Sequence, residues 1–424
     1  MNLADREKKM LDGLFGTGPQ SAMRLLVTLG EIYGAERTIP VSSCHVGGRS
    51  YLISGEENIE WMNDLLNGGA RFQVLISTNP CSVDFDQWQK MGVPEDLVQN
   101  QRRADEIYLK MGAMPLGSCL PYQLGNLPIY GTHFAWGGSA GATFVNSVFG
   151  GRGNREGSPS VVAAAITGVT PEYGLHLKEN RFGKVLVDLS GFDHSTLSLS
   201  DYSAIGSYVG RTLIDKTPVL IGVPKTISQD QIRFLISPMP TAGAISLCHI
   251  VGITPEAPTV EAALGGKKPE DKISVGHEEM RGSYNRLTTA KNEEVDLVCF
   301  GCPHCSIPQI REIASLLEGK KINENMRLWV ATSSHLKAMA QRMGYVDIIE
   351  RAGGLVITDV CVSPGAPFHL IKGVKTVAIN SARGAYFIPG ACNVNVVFSD
   401  TKGCVQAAVT GKWGGKDENY SKRT

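Results

Sequence analysis

The sequence predicts an α/β protein with mostly parallel sheets and more than one lobe. Three observations carry this. Short apolar or β-rich runs alternate with helical stripes along most of the chain. Glycine clusters fall where strands hand over to helices. The 424 residues, 42% of them hydrophobic, suffice for a large core.

The elements follow in order. Ala22, Leu25, Leu26, Leu29, Ile32 and Tyr33 form a helical stripe that stops at Gly34. A short strand is expected over Arg37–Val41, then a loop from Ser42 to Gly48, and a helix around Ile59–Leu66 ending at Gly68 and Gly69. Strand Phe72–Ser77 precedes the loop Thr78-Asn79-Pro80-Cys81. A helix from Pro94 to Gly112 leads to a strand over Ala113–Cys119. Gly137–Gly141 opens a helix through Val145 and Val148, and the polar turn Gly150–Pro159 precedes the small-residue helix Val161–Ile166. Strands recur at Lys184–Leu189 and Val219–Val223, and the Gly/Pro/Lys-rich patch Ala257–Asp271 reads as the weakest part of the fold. The last third alternates cleanly: strands at Val295–Phe300, Leu328–Ala331, Leu355–Val362 and Thr376–Asn380, with helices at Pro308–Leu317 and His335–Met343. One catalytic domain is expected over 1–410, with a frayed tail over 411–424.

Composition excludes several function classes. Lys+Arg and Asp+Glu are both 41, giving a net charge of +0, and no polybasic run suggests nucleic-acid binding. No apolar run approaches the ~20 residues of a bilayer span, so no membrane contact is expected. Met1–Phe15 mixes charged and apolar residues like a surface helix rather than a signal peptide, which predicts a cytoplasmic protein. Ten cysteines in that compartment are candidates for core filling or ligation rather than disulfides.

Cys119, Cys302 and Cys361 each close an apolar or β-rich run, at the place where open α/β sheets bind ligands. Three thiolates there can hold an iron–sulfur cluster and leave one iron face open. Cys302-Pro-His-Cys305 also has the spacing of a redox pair or half a zinc site. Cys299, Cys248 and Cys404 read as packing. His45, in the Ser42–Gly48 loop with Gly47 and Gly48, is a candidate acid or substrate hydrogen-bond donor, or a histidine that merely caps its loop. His304 sits close enough to Cys302 for an outer-sphere hydrogen bond. Backbone N–H groups of Gly137–Gly141, with Ser139, suit a carboxylate or phosphate. Arg152 and Arg155, flanking Gly153-Asn154, are fit to clamp such a group, as is Arg383 in Asn380–Gly384. Asn79, in the loop after its strand, joins the candidate substrate contacts.

Eight stretches resemble the aconitase X family, the divergent branch of the aconitase superfamily: Ser42–Tyr51, Cys119–Tyr122, Gly125–Pro128, Phe134–Ser147, Gly150–Gly157 followed by Pro159, Thr170–His176, Gly301–Ser306 and Asn380–Gly384. The resemblance covers nearly the whole chain in a specific order. It implies an aconitase-like, multi-lobed α/β fold lacking the small swivelling domain. It also implies an iron–sulfur hydro-lyase that removes water from a hydroxylated carboxylate, either cis-3-hydroxy-L-proline or mevalonate 5-phosphate. Carried over by position, Cys119, Cys302 and Cys361 match the cluster ligands, while Cys305 does not. His45 and His304 fall to catalysis, and Gly47, Gly48, Asn79, Ser139, Asn154, Arg155 and Arg383 to substrate binding. The implied partner is a small swivelling-domain subunit that supplies a serine base. Two other readings stay open at this point: a scaffold subunit that binds without turnover, and a redox enzyme using Cys302 and Cys305.

Overall fold

The computed structural model describes residues 1–414. The first lobe carries β1 (Thr38–Pro40), β2 (Ser43–Val46), β3 (Ile76–Thr78), β4 (Phe134–Trp136) and β5 (Val169–Pro171). They form a parallel sheet ordered β3-β2-β4 and an antiparallel pair β1-β5. The middle lobe carries β6 (Val185–Asp188), β7 (Pro218–Ile221), β8 (His249–Ile250) and β9 (Asp271–Ser274), all parallel, in the order β8-β7-β6-β9. In the last lobe, β10 (Leu297–Phe300), β11 (Arg327–Thr332), β12 (Leu355–Thr358), β13 (Thr376–Ile379) and β14 (Asn395–Phe398) run parallel as β12-β11-β10-β13-β14.

Each parallel sheet reverses strand order beside its first strand, which puts a switch-point crevice beyond the carboxyl ends of β2, β6 and β10. The strands that flank these crevices are buried on both faces: every residue of Ser43–Val46 and Leu297–Phe300 is interior. This is the pattern of parallel strands covered by helices on either side. Side-chain caps start the helices that leave the crevices. Ser306 accepts from the Gln309 N–H at the head of Ile307–Leu317, Ser381 from Gly384 at the head of Ala382–Cys392, and Asp400 from Gly403 at the head of Thr401–Thr410. One apolar core runs without a break from Trp136 and Phe144 through Val187 and Leu220 to Trp329 and Ile379, so the lobes share an interior. No helix among the described residues is long and apolar enough to cross a membrane.

The structure corrects four local expectations. The Ser42–Gly48 loop contains β2, the central strand of its sheet; its serines and glycines mimic a turn while its side chains are buried. Ala113–Cys119 is not a strand. Only Met114 bridges, to Ser77, because Pro115 has no N–H to offer a ladder and Gly117 turns to φ 54°. The expected strand Leu355–Val362 stops at Thr358, where Asp359 adopts φ 61°. The Ala257–Asp271 patch is well tied: Thr259 caps a helix at Val260–Ala263, and the Ala263 carbonyl accepts from the Gly183 N–H at 2.8 Å. Of the tail expected to fray over 411–424, Trp413 is buried and its indole N–H donates to the Asn292 carbonyl at 2.8 Å, whereas residues 415–424 lie outside the described residues.

Candidate active site

Cys302 lies two residues beyond β10, past Gly301, whose φ of 121° no side chain would tolerate against the Ala331 carbonyl. Cys361 lies three residues beyond β12, fixed where its N–H donates to the Cys81 carbonyl at 2.7 Å. Cys119 reaches across from the first lobe, and its Sγ accepts the His304 backbone N–H at 3.3 Å. The three cysteines are brought together by His304, two residues past Cys302, whose N–H meets Cys119 Sγ and whose ring holds the carbonyl of Val360, next to Cys361. Burial pushes Cys119 up to about 12, opposed by the His304 N–H and by Arg383. Burial also raises Cys302, and there Arg383, Ser363 and Ser381 favour the thiolate. For Cys361 burial leads again, with the backbone N–H groups of Gly365 and Ser363 opposing it.

Arg383 is therefore common to all three sulfurs. Its guanidinium sits 5.1 Å above the Phe387 ring, and Nη1 donates to the Ser237 carbonyl at 3.5 Å and to the Thr241 hydroxyl. Cys302 and Arg383 follow β10 and β13, neighbours on either side of the last sheet's switch point.

The donor set can be tested against single ions and clusters. Among the described residues, no three His, Cys, Asp or Glu side chains are gathered tightly enough for one metal ion. A tetrahedral ion with metal–sulfur bonds of about 2.3 Å needs sulfurs in mutual contact. A polynuclear cluster takes each thiolate on a different iron and needs them further apart. Three convergent thiols with an arginine and a backbone N–H directed at them fit the second case.

A second constellation stands on the first lobe's sheet. His45 and Ser77 are register partners on β2 and β3. Asn79 presents its amide oxygen to His45 Nε2 at 3.1 Å, so Nε2 carries the proton and Nδ1 accepts from the Ser77 hydroxyl at 2.8 Å. Asn126 Nδ2 donates to that hydroxyl at 2.7 Å. The ring is fully buried, and burial lowers its pKa to about 4, with Asn79 and Ser77 opposing. His45 is thus neutral, with both nitrogens engaged. His304 is similar: Nε2 donates to the Val360 carbonyl at 2.9 Å, and burial lowers its pKa to about 4.

The remaining predicted residues divide. Gly47 faces Gly137 at a distance where an added Cβ would lie 3.1 Å from the Gly137 carbonyl oxygen, and Gly48 packs on Ser158. These two glycines seat the β2 turn against the Gly137–Ser139 loop. Ser139 opens the helix Ser139–Phe144 at the carboxyl end of β4. Asn154 is engaged by the backbone: its Nδ2 donates to the Tyr173 carbonyl at 3.1 Å and its Oδ1 accepts from Leu175 N–H at 2.8 Å, so it secures a turn. Arg155 is exposed, and its Nη1 donates to the Pro240 carbonyl at 3.0 Å. Cys305 lies in the core beneath the corner, with burial raising its thiol. All ten cysteines are free thiols.

Comparison with known proteins decides the family. Models of the aconitase X first, second and third domains match residues 1–179, 183–285 and 295–410. The chain belongs to the aconitase X family. Among aconitase X relatives, it is 40% identical over 403 residues to the phosphomevalonate dehydratase large subunit of Methanocaldococcus jannaschii, covering 94% of this chain and 98% of that one. It is 29% identical over 407 residues to the cis-3-hydroxy-L-proline dehydratase of Pseudomonas aeruginosa, covering 96% of this chain and 70% of the other. The crystal structure of Thermococcus kodakaraensis aconitase X in its holo form superposes with a TM-score of 0.87 at 34% identity, over 96% of this chain and 100% of that one.

In this aconitase X chain several site neighbours escaped the sequence reading. Arg49 is buried and holds Asp105 with Nε at 2.7 Å and Nη2 at 2.5 Å, while Nη1 reaches the Asn79 carbonyl at 3.3 Å. Burial raises the Asp359 carboxyl to about 7 against the pull of Arg49. Arg233, also buried, joins Asp230 at 2.9 Å and Gln309, on the far side of the Cys302–Cys305 loop. Little in the local sequence marks these residues, because Arg49 meets partners 30 and 56 positions away and Arg233 meets Gln309 76 positions away. A cavity of ≈ 1800 Å³ lies between the middle and last lobes, lined by Ser198, Asp230, Arg281, Glu312 and Lys402 among others. It contains none of the predicted site residues, and convergent thiols are the stronger indicator of chemistry.

Proposed function

We propose that this aconitase X chain is the large subunit of a two-subunit iron–sulfur dehydratase, with mevalonate 5-phosphate as substrate. The observation that carries the reading is the convergence of Cys119, Cys302 and Cys361 under a shared arginine. Those three cysteines would hold the cluster. When bound, it supplies an iron that acts as a Lewis acid toward the substrate hydroxyl.

The chain's own residues do the rest. Arg383 and Arg155 present guanidiniums to the substrate's acid groups, one beside the sulfurs and one on the exposed Gly150–Pro159 turn. Ser139 and the Gly137–Gly138 backbone line the same side. His45, neutral and doubly hydrogen-bonded, positions Asn79 and the glycine loop rather than supplying a proton. His304 holds Cys119 through its backbone N–H and Val360 through its ring. By resemblance to the family the base is a serine from a small partner subunit, and the relatives' designation "large subunit" supports such a partner. Closure by that partner would exclude water. A thiolate-held cluster suits the reducing cytoplasm.

Two features favour the phosphorylated substrate over hydroxyproline. The phosphomevalonate relatives reach 40% identity against 29% for the hydroxyproline enzymes. The residues Ser237, Pro240 and Thr241 also hold two guanidiniums, Arg155 and Arg383, which suits a substrate with two anionic groups. The test is anaerobic co-expression with the small subunit and assay of both substrates. Water loss from mevalonate 5-phosphate is expected. Turnover of cis-3-hydroxy-L-proline alone would reverse the substrate assignment, and turnover of neither would favour a scaffold. A redox pair has no support in the geometry, because Cys305 is sealed in the core.

A further inference from the structure

None of the site residues read from the sequence lies in the middle lobe, yet that lobe touches both candidate substrate arginines. Arg155, from the first lobe, donates to the Pro240 carbonyl. Arg383, from the last lobe, donates to the Ser237 carbonyl and to the hydroxyl of Thr241. Two guanidiniums from distant parts of the chain are thus held on adjacent residues of one five-residue turn, Ser237–Thr241.

This turn is built to be rigid. Ser237 and Pro238 join the helices Gln229–Ile236 and Met239–Gly243, Pro240 and Thr241 lie in the first turn of the second, and both helices press on the helix Leu199–Leu213 through backbone contacts. A Cβ at Gly243 would lie 1.7 Å from the Gly210 carbonyl oxygen, and one at Gly206 would lie 1.9 Å from that of Leu235. Such approach is open only to glycine. Arg233, one helical turn before Ser237, anchors the same helix to Gln309 of the last lobe. The platform is therefore locked both to its own lobe and to the lobe that carries Cys302.

We propose that the Ser237–Thr241 turn is the platform of the substrate's oxyanion site, and that Thr241 is a positioning residue that aims Arg383. A guanidinium on a long, flexible stem recognises a carboxylate or phosphate bidentately only if its plane is fixed beforehand. The Thr241 hydroxyl and the Ser237 carbonyl fix one edge of that plane, and the Phe387 ring fixes its face. The opposite edge is left to the cysteine corner and the substrate. The inference deepens the dehydratase reading by naming what orients its anion site.

The test uses the cluster-loaded two-subunit enzyme with Thr241→Val, which keeps the shape and removes the acceptor, and with Thr241→Ser, which restores it. For mevalonate 5-phosphate, KM should rise about tenfold in the valine variant with kcat nearly unchanged, iron content and visible spectrum should match the wild type, and serine should recover the loss. Equilibrium binding of unphosphorylated mevalonate tells the two oxyanions apart. A valine penalty that vanishes with mevalonate places the phosphate on Arg383, and one that persists places the carboxylate there. A ligand-free arm separates this inference from the substrate assignment. In the full-length chain, phenylglyoxal should modify Arg383, read by peptide mass spectrometry, severalfold faster in Thr241→Val than in wild type. An enzyme inactive on mevalonate 5-phosphate would overturn the substrate assignment yet leave that arm decisive. Unchanged KM and binding, or an unchanged Arg383 modification rate, would overturn the role given to Thr241.

Discussion

Cys299 and Cys302 stand three residues apart, and the contrast between their surroundings explains the site. Cys299 points from the middle of β10 into the apolar core, where burial raises its thiol far above the ordinary range and the neighbouring cysteines add to the effect. Cys302 has left the strand through Gly301 and meets Arg383, Ser363 and Ser381, each favouring the thiolate. The same division holds across the molecule. Cys119 and Cys361 are not fully buried and have N–H donors on their sulfurs, whereas Cys44, Cys248 and Cys404 are sealed. What sets the three proposed ligands apart from the core cysteines is a place outside the strands, where backbone N–H groups or hydroxyls and a cation stand beside the sulfur.

The most severe way to break this comparison is to exchange thiol for hydroxyl on both sides of it. Cys119→Ser, Cys302→Ser and Cys361→Ser should each lose iron, visible absorbance and all dehydratase activity. Cys299→Ala and Cys404→Ala should keep all three while melting earlier. Full iron content in Cys302→Ser would end the ligand assignment.

A second prediction tests whether the first lobe's polar shelf is structural where the cysteine corner is chemical. Arg49 and Asp105 form a pair with side chains 6% and 15% exposed. Arg49→Met leaves Asp105 buried without its partner, and removing one member of such a pair costs about 3–5 kcal/mol. The loss should appear as a lower denaturation midpoint. Iron uptake at low temperature should survive it. If the variant is as stable as wild type, the shelf carries no such strain and the contrast with the corner fails.

Arg383 comes next, since it belongs to the corner but is not a ligand. Arg383→Gln removes a charge-assisted contact to the substrate and a cation beside three thiolates. A fall in kcat/KM of about 100-fold is expected, with iron retained in preparations reconstituted anaerobically. Loss of iron equal to that of Cys302→Ser would move Arg383 from substrate binding to cluster assembly.

Much of this contrast was legible in the sequence. The apolar run Leu297–Phe300 followed by Gly-Cys-Pro placed Cys302 beyond a strand, and Asn380–Gly384 flagged Arg383 beside it. Cys119 is proposed on a partly wrong expectation: its segment is not the strand expected, since only Met114 bridges and Pro115 and Gly117 stop further pairing. The residues that could not be seen are those defined by distant partners. Thr241, Arg233, Arg49 and Ser77 look like surface polar residues until the chain folds, because local pattern records which face is apolar and not which side chain arrives opposite. The Ser42–Gly48 segment misled for a related reason. A strand buried on both faces tolerates serine and histidine if a neighbouring strand supplies their hydrogen bonds, as Ser77 does for His45.

The finest test concerns that histidine and pH. Burial lowers His45 to about 4, whereas an unfolded chain protonates histidine near 6.5. Between those values the unfolded state binds the extra proton, so the His45 contribution to stability is complete above about pH 6.5 and is lost as the pH falls toward 4, at about 1.4 kcal/mol per unit. Asp359, raised to about 7 by burial, works in the opposite direction, because its folded form holds a proton that the unfolded chain has released. Wild type alone therefore mixes the two, and the comparison with His45→Gln isolates one. The variant should be less stable than wild type at pH 7.5, and the gap should narrow by about 2–3 kcal/mol by pH 4.5, measured as urea midpoints at constant ionic strength. A gap independent of pH would mean that His45 takes up its proton at the same pH in the folded and unfolded chain. In that case the neutral, doubly bonded ring that separates the first lobe's shelf from the thiolate corner does not exist.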